Sequence, residues 1–150
     1  MRKVTKIIVH CTESMSNVGT RPYNILMRQA QSRIGYHFIV FEDGTVFKAN
    51  DVSNVINHCR GHNADSIAVA YVGGIDDKGI MADTRTDAQK TTLRTLLVAL
   101  LRKYPVPIYG HRHFDNGKVC PCFDADTEYK GLLQCVPVMP DLAKPSVSFT

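Results

Sequence analysis

The sequence predicts a single α/β domain in which a central mixed β-sheet is flanked by helices. The first observation behind this prediction is that short apolar runs, typical of buried strands, alternate with segments of helical periodicity. The second is size and composition, because 150 residues with 44% hydrophobic content suit one domain with one core. No apolar run is long enough to cross a bilayer, so no membrane association is expected.

Five segments have the apolar, β-branched or aromatic composition of strands. They are residues 3–10, 36–41, 46–48, 66–72 and 107–110. The second and third are joined through Asp43-Gly44, a dipeptide that favours a tight hairpin turn. The fourth ends at Gly73-Gly74, and a turn is predicted over 76–79.

The clearest helix begins after Thr86, which forms a capping-box pattern with Gln89, and it stops before Pro105. Its apolar residues recur at helical spacing and predict a core-facing stripe: Leu93, Leu96, Leu97, Leu100, Leu101 and Tyr104. Shorter helices are predicted over 23–32 and 126–134, with a helical turn near 52–57. Residues 136–150 contain three prolines and no periodicity, so a domain over 1–135 is expected to be followed by a tail.

Net charge and cysteine content indicate which partners and which cellular compartment to expect. The net charge of +4 suits an anionic cell-wall polymer and equally an ordinary surface, and without a dense basic block no nucleic-acid partner is expected. The chain has five cysteines, an odd number, and its first residues do not form a signal peptide. We therefore expect synthesis in a cytoplasm, reduced cysteines and a monomer.

Three side chains point to a metal site. His10 ends the first strand, His111 follows the last one, and Cys120 lies in the next loop. Two imidazoles and one thiolate are ligands that zinc prefers, and three protein ligands leave a fourth position for water. Such an open position is typical of a catalytic zinc site, whereas a structural site has four protein ligands.

The fragments that carry these residues arrive in a familiar order: IIVHCT, GYHFIVFEDGTV, GHNADSIAVAYVGGIDDKG, YGHRHF and KVCPCFD. Together they resemble the zinc-dependent N-acetylmuramoyl-L-alanine amidases, the family of phage amidase-type lysozymes and peptidoglycan recognition proteins. The resemblance implies the amidase-type lysozyme fold and hydrolysis of the amide between N-acetylmuramic acid and L-alanine. It also implies Zn²⁺ bound by His10, His111 and Cys120, and a bacteriolytic endolysin that acts on the cell wall after release or export.

The resemblance assigns further residues. It implies that Tyr36 and Lys118 assist catalysis, and that His58 and Asn63 contact the muropeptide substrate. Nothing beside the ligands matches an acidic general base. His37 alternates with Tyr36 along a strand, so its side chain is predicted to point to the opposite face and to be structural.

Three features depart from the family pattern or leave alternatives open. His113 stands where many relatives have an acidic residue, so it is expected either to support His111 or to bind metal, with Asp115 as a substitute support. Cys122 is interpreted as a spectator, although it or His113 could complete a structural site. The chain has no tryptophan, which predicts a different groove wall near 23–33. The alternative function is a peptidoglycan-binding module without catalysis.

Overall fold

The computed structural model describes residues 2–15 and 34–136 of the chain. The predicted helix over 23–32 lies outside the described residues, as does the predicted tail beyond Val136. The regular elements are β1 (Lys6–Cys11), β2 (Ser14–Met15), β3 (Phe38–Val40), β4 (Val46–Lys48), β5 (Ser66–Tyr71), β6 (Gly74–Ile75), α1 (Asp87–Lys103), β7 (Ile108–Gly110) and α2 (Ala125–Glu128). Three 3-10 turns cover Asn63–Asp65, His111–His113 and Leu133–Cys135.

The predicted mixed sheet is confirmed. Its five strands lie in the order β4-β3-β5-β1-β7. The four neighbouring strands β3, β5, β1 and β7 are parallel, and only β4 is antiparallel, because it returns from β3 through the predicted hairpin. The carboxyl ends of parallel strands meet at one edge of a sheet, which is where binding sites of such folds form.

The core lies between the sheet and α1. The two central strands, β1 and β5, are buried on both faces, which explains why they have continuous apolar runs instead of alternation. On one face, Ile7 and Val9 pack into the cluster that contains Leu93 and Leu97 of the predicted stripe. His10 stands on the opposite face from Val9, because successive side chains of a strand alternate.

The start of α1 has the predicted capping box. The Thr86 hydroxyl accepts the backbone N–H of Gln89, and Oε1 of Gln89 accepts the backbone N–H of Thr86. The Gln89 side chain is fully buried and its Nε2 donates to the carbonyl oxygens of Val40 and Val72. The same residue therefore caps the helix and ties it to the two strands below.

The hairpin turn requires Gly44. Its φ of +85° lies in the left-handed region, and a Cβ there would lie 2.8 Å from Oγ1 of Thr92 on α1. The turn therefore packs closely against the helix because the residue has no side chain.

Local elements differ from the predictions in three places. The predicted helix over 126–134 is a single turn, Ala125–Glu128, followed after Gly131 by the 3-10 turn Leu133–Cys135. Residues 52–57 form no helix but a turn in which the Asn54 N–H donates to the Asp51 carbonyl. The two-residue strands β2 and β6 pair with each other and were not predicted, since two residues show no period. Within the described part of the chain, no helix has the length and apolar character needed to span a membrane.

Candidate metal centre

The three predicted ligands come together at the carboxyl edge of the sheet. One ligand atom each from His10, His111 and Cys120 lies within 4.8 Å of the other two. His10 and Cys120 are each only 2% exposed, whereas His111 is half-buried. The group is thus anchored in the core on one side and reaches the surface on the other.

Strand pairing places the two histidines. β7 runs parallel to β1 with Gly110 opposite Val9, so His111, the next residue, starts its 3-10 turn beside His10. The two imidazole rings lie with their centroids 4.7 Å apart. Neither histidine is near the other in sequence, and only the parallel register brings them together.

The loop that carries Cys120 is fixed by backbone contacts. The Arg112 N–H donates to the Cys120 carbonyl at 2.8 Å, and the Tyr71 hydroxyl donates to the Pro121 carbonyl at 2.7 Å. A Cβ at Gly110 would lie 2.9 Å from Cδ of Pro121, so this loop packs directly against the end of β7. The thiol is therefore held against the histidines by the sheet itself.

A chain of hydrogen bonds behind the site determines which ring nitrogen of His58 carries the proton. The Ser66 hydroxyl donates to the His62 carbonyl at 2.6 Å, which uses its only hydrogen. Oγ of Ser66 must then accept from Nε2 of His58, 2.8 Å away. Burial lowers the pKa of His58 to about 3, so its imidazole is neutral at pH 7 and its Nδ1 has a free lone pair.

The chain of hydrogen bonds continues from His58 to His10, the predicted metal ligand. Nδ1 of His58 lies 2.9 Å from Nε2 of His10 and accepts its N–H. Nδ1 of His10 is then the nitrogen with the lone pair, and it lies 3.8 Å from Sγ of Cys120. A metal-binding histidine is commonly oriented by a hydrogen bond at its other nitrogen, and here that partner is His58.

Electrostatics keep both imidazoles ready to bind a cation. Burial, followed by the proximity of His58 and His111, lowers the pKa of His10, and burial and the charge of Lys118 lower the pKa of His111. The Cys11 N–H donates to Sγ of Cys120 at 3.2 Å. Neutral imidazoles and a thiolate are the forms that bind metal.

Tyr36 and Lys118 both reach this centre. Together with the ligands they line a cavity of about 300 Å³. The Tyr36 ring lies 5.4 Å from the His10 ring, and its hydroxyl donates to the Cys11 carbonyl at 3.3 Å. Burial raises the pKa of Tyr36, so its hydroxyl is protonated at neutral pH and acts as a hydrogen-bond donor. Lys118 is exposed at the mouth of the cavity.

The predicted substrate residues have structural contacts. His58 lines the cavity, but both of its ring nitrogens are already bonded, to His10 and to Ser66. Oδ1 of Asn63 accepts the backbone N–H groups of His58 and Cys59. Asn63 therefore holds the segment that carries His58.

His37 is structural, as predicted. It is fully buried, its Nδ1 accepts the Ala68 N–H at 3.0 Å, and its Nε2 donates to the Asn54 carbonyl at 2.8 Å.

The two candidates for a fourth ligand lie elsewhere. His113 pairs through Nδ1 with Asp126, whose other oxygen accepts the Gly110 N–H at 2.7 Å. Sγ of Cys122 lies 3.9 Å from Sγ of Cys11. Within the described residues, the ligand group therefore has three members and no fourth.

Sequence reasoning missed three residues that shape this centre. Ser66 orients His58, Asp126 supports the backbone before His111, and Glu13 lines the cavity. Only Glu13 left a sequence signal, because it follows the end of β1 and stands three positions after His10.

Known proteins resemble this chain in sequence and in fold. The family described as N-acetylmuramoyl-L-alanine amidase matches residues 1–123. The chain is 44% identical over 121 residues to the endolysin of Escherichia phage T7, covering 79% of this chain and 80% of that protein. It is 38% identical over 126 residues to the endolysin of Klebsiella phage KP32, covering 82% and 83%.

Solved structures show the same fold. The endolysin N-acetylmuramoyl-L-alanine amidase LysCS from Clostridium intestinale superposes with a TM-score of 0.69 at 24% identity, covering 91% of this chain and 86% of that one. The Drosophila peptidoglycan recognition protein SA superposes with a TM-score of 0.67 at 17% identity, covering 87% and 79%.

Proposed function

The chain belongs to the N-acetylmuramoyl-L-alanine amidase family, and from that premise we propose that it uses one zinc ion to hydrolyse the amide between N-acetylmuramic acid and L-alanine in peptidoglycan. The observation that carries the proposal is the convergence of His10, His111 and Cys120 within 4.8 Å at a cavity. An amide is a poor electrophile with a poor leaving group, and a zinc ion held by these three side chains would help with both difficulties.

The donor set fits zinc. Two imidazole nitrogens and one thiolate, with no fourth ligand among the described residues, match a tetrahedral site that has one position open. When bound there, zinc would supply a Lewis acid that acidifies water and polarises the carbonyl oxygen. The hydrogen-bond chain through His58 supports the assignment, because it leaves Nδ1 of His10 unprotonated.

Tyr36 and Lys118 would act on the reacting amide itself. The protonated Tyr36 hydroxyl can accept a hydrogen bond from the attacking water, or turn from the Cys11 carbonyl and donate to the substrate carbonyl oxygen as negative charge develops there. The Lys118 ammonium, exposed at the same cavity, can stabilise that charge from the solvent side. His58 would pack its ring against the substrate, and Asn63 would keep His58 in place.

The proposal extends to the setting. We propose a monomer in which residues 1–135 form the amidase domain, as the family match over residues 1–123 supports, and 136–150 a tail. Like the endolysins it resembles, it would act on the bacterial cell wall after release from the cytoplasm.

The test combines metal analysis with digestion of purified muropeptides. We expect one zinc per chain, and products in which the sugar keeps its lactyl carboxylate while the peptide gains a free L-alanine amino terminus. Cleavage between sugars or within the peptide would overturn the assignment. A zinc-loaded protein that binds muropeptides without cleaving them would instead identify a binding module.

A further inference from the structure

A carboxylate faces the catalytic cavity where the family resemblance offers none. Glu13 lines the same cavity as His10, His111 and Cys120. Of the described residues around this cavity, it is the only carboxylate, and Lys118 is the only lysine or arginine. The cavity therefore has one fixed negative and one fixed positive side chain beside the metal ligands.

The backbone holds Glu13 in an unfavourable conformation. Its φ is +53°, in the left-handed region, where a non-glycine residue costs on the order of 1 kcal/mol. The residues on either side are fixed, because the Thr12 N–H donates to the Tyr71 carbonyl and the Ser14 N–H donates to the Gly73 carbonyl, each at 3.0 Å. The hydroxyls of Thr12 and Ser14 also bond to each other at 2.6 Å. Strain that neighbours impose at the rim of an active site is a reason to look for a role.

The Glu13 carboxylate is available to a ligand. Its side chain is exposed, and within residues 2–15 and 34–136 the carboxylate has no hydrogen bond or ion pair.

Hydrolysis of the amide produces two charged groups that are complementary to the charges of Lys118 and Glu13. The oxygen of water joins the carbonyl carbon and the C–N bond breaks, with its electron pair remaining on nitrogen. Both water protons end on that nitrogen at neutral pH, so the products are a lactyl carboxylate and an L-alanine ammonium ion. The carboxylate is attracted to Lys118 and repelled by Glu13, whereas the ammonium is attracted to Glu13.

We propose that Glu13 is a substrate-binding residue for the leaving group, which accepts a hydrogen bond from the scissile nitrogen and holds the amino group of L-alanine as the C–N bond breaks. This inference rests on the proposed amidase function. It adds a contact for the peptide amine at Glu13 to the contact for the sugar acid at Lys118, both in the same cavity. A hydrogen bond between two ionised groups is stronger than a neutral one, so the amine should contribute to binding.

The test compares two ligands by calorimetry. They are L-alanyl-D-isoglutamine, which has the amino group, and propionyl-D-isoglutamine, in which hydrogen replaces it. The zinc-loaded parent protein should bind the amine about tenfold more tightly. In Glu13→Gln the preference should fall close to one, and kcat/KM on muropeptides should fall with it. Asp77→Asn, which removes an exposed carboxylate outside the cavity, should change neither quantity.

A second variant separates this role from folding. Glu13→Gly relieves the left-handed strain, so its midpoint of thermal unfolding should stay the same or rise while the preference for the amine is lost. Equal preference in the parent protein and in Glu13→Gln would overturn the proposal. A parent protein that prefers the amine but releases no L-alanyl peptide would overturn the amidase function and leave the amine site standing.

Discussion

Nε2 of His10 lies 2.9 Å from Nδ1 of His58, and this contact determines which nitrogen of His10 faces Cys120. His58 can accept that hydrogen bond because its own N–H is directed to Ser66. His10, the proposed metal ligand on β1, is thus oriented from behind by a residue that lies outside any regular element. His58, which the resemblance assigns to substrate binding, therefore also orients His10.

Removing His58 should weaken metal binding. His58→Ala leaves the Nε2–H of His10 without its acceptor, and loss of such a supporting contact commonly costs on the order of 10–100-fold in metal affinity. In His58→Gln the amide can accept from His10 and donate to Ser66, so affinity should largely recover. Zinc affinity measured by competition with a chelator checks both variants.

His62→Ala is the matched control for His58→Ala, because His62 takes part in the chain of hydrogen bonds only through its backbone carbonyl. Its zinc affinity should equal that of the parent protein. Unchanged affinity in His58→Ala would show that His10 needs no orienting partner.

Cys120→Ser should abolish hydrolysis while much of the muropeptide binding remains. Serine is a poor zinc ligand, whereas the cavity wall around His58 is untouched. Turnover and calorimetric binding of a muramyl peptide are measured side by side. Cys122→Ser is the control and should keep one zinc and normal turnover, since Cys122 lies outside the ligand group. Full turnover in Cys120→Ser with added zinc would remove this cysteine from the site.

Tyr36→Phe and Lys118→Met should each retain one zinc per chain and lose turnover. Neither side chain belongs to the ligand group, and loss of a proton-transfer or charge-stabilising group commonly costs about 10²–10⁴-fold. Metal content and kcat are the measurements.

Tyr109→Phe and Lys78→Met are the corresponding controls, because both residues lie outside the cavity. If Tyr36→Phe and Lys118→Met keep zinc and near-normal turnover, the roles proposed for these two residues are wrong, although the family assignment is unaffected. If they lose zinc, both residues support the site and the chemistry lies elsewhere.

His37 predicts a pH dependence of stability in the metal-free protein. Burial lowers the pKa of His37, so it is neutral in the folded state at pH values where the unfolded chain, with a pKa of about 6.5, already binds a proton. The free energy of unfolding should therefore fall as the pH drops below about 6.5. One such group contributes at most about 1.4 kcal/mol per pH unit, until the folded pKa is reached.

Urea unfolding at a series of pH values checks this prediction. His10 and His58 have lowered pKa values too and add to the slope, so the informative quantity is the difference between the parent protein and His37→Gln. The variant should have the shallower slope as the pH falls below about 6.5. Parallel slopes would mean that His37 takes up its proton equally in both states.

Much of the fold was predictable because it depends on local patterns. The strand β5 was predicted from a continuous apolar run and the helix α1 from apolar periodicity, and the Thr86–Gln89 capping box needs residues only three positions apart. The hairpin followed from Asp43-Gly44 for the same reason. Prediction failed where a pattern was too short, as in β2 and β6, and over 126–134, where the helix already ends at Glu128.

By itself, the sequence indicated the proposed ligand types and their order, since His10, His111 and Cys120 stand at the ends of recognisable strands or in a marked loop. Tertiary structure alone decided which nitrogen of His10 is free, that His113 pairs with Asp126, and that Glu13 enters the cavity. The physical reason is that apolar periodicity is a property of neighbouring residues. A hydrogen bond between distant side chains depends instead on strand register and loop conformation, which exist only after the chain has folded.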